Sequence, residues 1–112
     1  MTDKELTEII ATKVMGWETM PHSRQWYKDG DRVNTGSYVG FFPLTVDEHC
    51  MMAWDKFSEG RVLRLEYLGK WEAHVLDINN LQPIFTTRAK DRRRAMCECM
   101  AKAVTNPAKE AI

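Results

Sequence analysis

The sequence predicts an α+β fold, a compact sandwich of a largely antiparallel sheet with about three helices. Three observations predict it. Two segments carry helical apolar spacing between a capping-box signal and a glycine stop. One hairpin between them and the C-terminus alternates strongly. An Ala- and Cys-rich segment then closes the chain as a last helix. The element order is α, short β pieces, α, ββ, β, α, with no internal repeat, low-complexity tract or linker.

The first helix is expected over about residues 3–15. Thr2 and Glu5 have capping-box spacing, Leu6, Ile9, Ile10 and Val14 share one face, and Gly16 suits a left-handed stop. The stretch from Trp17 to Thr45 is rich in turn formers and aromatics. Within it, "WYKDGDRV" reads as two short strands around an Asp29-Gly30 turn. "SYVGFF" reads as a further extended piece ended by Pro43. The second helix has Thr45 and Glu48 as another capping box, Val46, Cys50, Ala53, Trp54 and Phe57 on one face, and Gly60 at its close. "RVLRLEYLGKWEAHVLDI" is the strongest hairpin, turning at Leu68-Gly69-Lys70. In its return strand Trp71, Ala73, Val75 and Asp77 face one way and Glu72, His74, Leu76 and Ile78 the other. "QPIFTT" adds a strand that Pro83 places at a start or an edge. The last helix is expected over about residues 88–104, with Ala89, Met96, Cys99, Met100 and Ala103 inward and Asn106-Pro107 as its stop. Residues 1–106 then form one domain and residues 107–112 a frayed tail.

Composition narrows the function classes. The chain has 112 residues, 44% of them hydrophobic and 29% charged, which is ordinary for a globular domain. Sixteen basic residues balance sixteen acidic ones. That balance argues against a surface that grips DNA or an anionic membrane as a whole, and leaves room for one local basic patch. Three cysteines, Cys50, Cys97 and Cys99, fit no disulfide framework and read as reduced intracellular thiols. The N-terminus lacks the pattern of a secretory signal and no apolar run reaches membrane-spanning length, so a cytoplasmic location is expected.

Several stretches together resemble a known family. They are "IATKVMGWE", the aromatic "QWYKDG" turn, "FFPLTVDEHCMMAWDKF", the hairpin "LRLEYLGKWEAHV" and the closing "AMCECMAKAV". Across nearly the whole chain this pattern is similar to the small phage proteins with the phage ABA sandwich domain. The resemblance implies a bacteriophage or prophage origin and a central sheet between helical layers, and it implies no reaction. Members of that family approach the last helix through small and proline-rich residues, whereas this chain has "TTRAKDRRR".

That departure makes Arg88, Lys90, Arg92, Arg93 and Arg94 the first candidate binding residues. Arginine at the start of a helix opposes the macrodipole, and a broken local rule can mark function. Consecutive helical residues step by about 100°, so the arginines fan around the cylinder. One reading is a solvated helix end paired with nearby carboxylates. The other is an anion site for a nucleotide, a nucleic acid or an acidic protein surface. The same geometry sets Cys97 and Cys99 about 200° apart, so they do not share a metal ion. Cys99 and Cys50 read as core and Cys97 as lying off the apolar face. Trp26, Tyr27 and Tyr38 are candidates for a recognition surface, or they cover one end of the sheet. Trp54 and Trp71 read as core. Among the histidines, His49 beside Asp47 and Glu48 reads as a surface residue, His74 faces away from Trp71 and Ala73, and His22 sits in the aromatic loop. No nucleophile, metal or nucleotide motif occurs. No catalytic residue, metal or cofactor is therefore expected.

The expected function is non-enzymatic binding by a phage-encoded protein in the cytosol of a bacterial host. Its partner would be a host protein or complex, and inhibition of a defence system its role, with a homodimer as a reasonable assembly. The alternative is a nucleotide or nucleic-acid module built on the arginine cluster. A small enzyme using a histidine is the remotest of the three.

Overall fold

The structure is a computed structural model that describes residues 1–19, 25–36 and 40–110. Among the described residues it is α+β, with four α-helices and with two three-stranded antiparallel sheets rather than one larger sheet. Helix α1 spans Asp3–Ile9, and its capping box forms as expected: the Thr2 side chain accepts from the Glu5 N–H and Glu5 accepts from the Thr2 N–H. The helix widens into a π turn over Ile10–Val14, which brings the adjacent residues Ile10 and Ala11 both into the core. Gly16 then takes φ 73°, the left-handed stop.

Strands β1 (Glu18–Thr19), β2 (Trp26–Lys28) and β3 (Asp31–Arg32) make the smaller sheet. Asp29 and Gly30 both have positive φ, 52° and 85°, as a two-residue hairpin turn requires. Residues 37–39 of the expected extended piece lie outside the described residues, and Phe41 and Phe42 are not in a strand.

Helix α2 spans Asp47–Phe57. The expected Thr45–Glu48 capping box is absent. Val46 is the N-cap and offers no side-chain acceptor, because the helix begins one residue later than that box requires. Strands β4 (Val62–Tyr67), β5 (Trp71–Leu76) and β6 (Pro83–Ala89) form the larger sheet in that order. The β4–β5 register pairs Tyr67 with Trp71, Glu66 with Glu72 and Arg64 with His74.

Helix α3 spans Arg92–Val104, so Arg88 and Ala89 end a strand instead of starting this helix. Asp91 is the cause: its side chain accepts from the Arg94 N–H and fixes the N-cap there. Helix α3 is the middle layer of the molecule. It packs on β5 and β6 on one side and on α1, the π turn and α2 on the other. Ala95, Met96, Cys97, Cys99, Met100, Ala101 and Ala103 are all buried as a result. Cys97 is thus core, contrary to expectation, since α3 is covered on two sides and a single apolar stripe does not describe it. A short helix α4, Pro107–Glu110, follows. Among the described residues no helix is long and apolar enough to cross a membrane.

Candidate functional site

The arginine cluster is divided between three settings. Arg88 ends β6, Lys90 lies in the link and Arg92, Arg93 and Arg94 form the first turn of α3. The fan expected from helix geometry sends each guanidinium to a different neighbour. Arg92 reaches Asp47 at 3.2 Å. Arg93 pairs with Asp91 at 3.2 Å and donates to the Thr45 carbonyl at 2.8 Å. Arg94 pairs with Glu98 at 2.7 Å, with Asp3, and donates to the Met1 carbonyl. Arg88 pairs with Glu72 at 3.0 Å. The Arg93 hydrogen bond, followed by that of the Arg94 N–H, holds the Asp91 carboxyl below the usual carboxylate range. Lys90 is exposed and has no partner among the described residues.

Of the expected aromatics, neither Trp26 nor Tyr27 lines the recess beside the arginines, although the groove at Trp26 is walled by Asp3 and Thr45, which Arg94 and Arg93 contact. Trp26 is buried in the core, and its edge lines a groove of about 650 Å³ with Phe41, Phe42, Leu44 and α1. Tyr27 is half-buried beside it on β2. Tyr38 and His22 lie outside the described residues. Different aromatics stand beside the arginines. Trp71, expected as core, is only half-buried, and it lines a recess of about 260 Å³ with Asp47, Asp91, Arg92 and Arg93. Its ring centroid is 5.3 Å from that of Tyr67. Tyr67 is 61% exposed and Leu68 is 68% exposed at the hairpin tip. Tip and basic helix end therefore occupy one end of the molecule.

His49 corrects another expectation, because its ring is fully buried. Its Nδ1 accepts from the Phe42 N–H at 2.9 Å, and Nε2 lies 2.7 Å from the Thr35 carbonyl, to which it donates. The ring is also stacked within reach of Phe41 and Phe42. It is a buried brace between α2 and the loop before it. The Cys97 thiol, hydrogen-bonded to Cys50 and buried, is pushed far above the ordinary thiol range, which makes it a poor nucleophile.

A second group was missed at the level of sequence. The face of the larger sheet turned away from α3 carries Arg64 and Glu66 on β4, Glu72 and His74 on β5, and Thr86 and Arg88 on β6. His74 Nε2 lies 3.0 Å from Glu66 Oε1 and 3.3 Å from Glu72 Oε1. Its Nδ1 lies 2.9 Å from Thr86 Oγ1. His74 is 3% exposed although it stands on the polar face, because its charged neighbours cover it. The signal was present in "EYLGKWEAH": a three-residue turn sets Glu66 opposite Glu72 and leaves His74 next along the same face.

No family model matches the chain, and no match to it was found among curated proteins or solved structures.

Proposed function

We propose that the chain is a non-enzymatic binding protein that engages a partner protein through the tip of the β4–β5 hairpin. One observation carries the reading: exposed Tyr67 and Leu68 stand beside the recess formed by Trp71, Arg92 and Arg93. Aromatic and arginine side chains around an apolar anchor are the usual composition of an interface centre. The exposed cations Lys70 and Lys90 rim this end and favour an acidic margin on the partner. The resemblance to small phage proteins extends the proposal. The chain is phage-encoded, acts in the host cytosol and blocks a host defence component by protein–protein contact.

The nucleotide or nucleic-acid alternative is the weaker one. A phosphate on Arg88, Arg92, Arg93 or Arg94 must displace Glu72, Asp47, Asp91 or Glu98. The test is a photo-crosslinking residue at position 68 in host lysate. It is expected to trap one defined protein, and the L68S/Y67S variant, still folded by circular dichroism, is expected to lose that protein in a matched pull-down. Capture that is unchanged in the folded variant rules out the tip as the contact.

A further inference from the structure

The sheet face opposite α3 holds a group of side chains that the binding proposal does not use. Glu66 and Glu72 are direct cross-strand partners. Two carboxylates in that relation repel one another unless something cationic stands between them. His74 Nε2 stands there, and a neutral imidazole has one N–H at most to offer two oxygens. The three donor atoms lie within 4.8 Å of one another. Around a tetrahedral ion with bonds of about 2.0–2.1 Å, neighbouring donors are separated by about 3.3 Å. The distances from Nε2 to the two carboxylate oxygens, 3.0 and 3.3 Å, are already close to that spacing.

The surrounding groups hold these donors in place. Thr86 Oγ1, at 2.9 Å, can accept from Nδ1–H and so leave the Nε2 lone pair directed at the carboxylates. Arg88 takes Glu72 Oε2 at 3.0 Å and leaves Oε1, the oxygen facing His74, available. Arg64 Nε approaches Glu66 Oε1, the oxygen facing His74, at 3.5 Å, so an ion there competes with this longer, half-exposed contact. The Glu66 side chain is 34% exposed, which leaves an open side for a water molecule as fourth ligand. We propose that Glu66, Glu72 and His74 form a binding site for one divalent transition-metal ion of the zinc type. One imidazole with two carboxylates suits such borderline ions, whereas calcium and magnesium prefer more oxygen donors than the site offers.

The tag-free chain, stripped with EDTA and dialysed, is to be titrated calorimetrically with Zn²⁺ at pH 7. Saturation by a single ion per chain is expected. The affinity should fall more than about 100-fold in E66Q/E72Q and about 10–100-fold in T86V. Both glutamates lie on the sheet face turned away from α3 and glutamine keeps their size, so the double variant is expected to keep the native circular dichroism spectrum. Long-range ¹H–¹⁵N spectra of the unaltered protein give a second readout, in which Nε2 of His74 should shift on zinc addition. Absence of saturable binding below about 1 mM, wild-type affinity in E66Q/E72Q, or shifts at His22 or His49 in place of His74 would each overturn the proposal.

Discussion

Asp91 joins two roles in one side chain. It caps α3 through the Arg94 N–H and anchors Arg93. Its carboxyl is held below the ordinary range, so the stability it contributes is complete above the unfolded value of about 3.9 and is lost as pH falls through the folded value. D91A should therefore lower stability at pH 7 by about 1 kcal/mol, the usual worth of such a cap. That corresponds to about 4 °C in melting temperature for a chain of this size, and the difference from wild type should shrink toward pH 2–3 in parallel thermal melts. Asp91 was legible in principle, since aspartate is a favoured N-cap, but the apolar spacing that extends back to Ala89 hid it. His49 was not legible. Its neighbours Asp47 and Glu48 are exposed, and its burial depends on Thr35 and Phe42, which only the folded loop brings to the ring.

At the scale of elements, α3 explains the thiols. Cys97 and Cys99 point to different sides of one helix, and both are buried because that helix is covered on two sides. Cys50 on α2 is buried against Met96, with the sulfurs 3.9 Å apart. None of the three should react with an aromatic disulfide reagent in the native protein, and all three should react in denaturant. Rapid modification of even one native thiol would contradict this packing. The hairpins were the most legible elements, because "DG" and "LGK" mark turns and alternation sets the register. The start of α2 was not, since Thr45 and Glu48 satisfy a pattern that the backbone does not use.

For the whole molecule, the α+β class followed from local signals, but the division into two sheets did not, because pairing between distant strands leaves no local mark. The candidate tip divides in the same way. Its aromatics and its arginines are each visible in the sequence, yet Trp71 meets Arg92 and Arg93 only through the packing of α3 on the larger sheet. Since α3 joins that sheet to the α1 and α2 layer, the two halves should unfold together. Tryptophan fluorescence and far-UV circular dichroism should give one coincident transition. M96A, which removes a fully buried side chain, should lower stability by about 2–5 kcal/mol in urea titrations without separating the two signals.

The middle position of α3 also sets a schedule for synthesis. Arg94 contacts Asp3 across a sequence separation of 91 residues, and α1 and α2 both lean on a helix that ends at Val104. A ribosome making this chain releases α1, α2 and the hairpin before the element that buries them has emerged. The nascent chain carries exposed apolar faces until α3 is free of the exit tunnel. Ribosome-stalled chains halted before α3 emerges should be protease-sensitive along their whole length, and protection should arise in a single step once it is out.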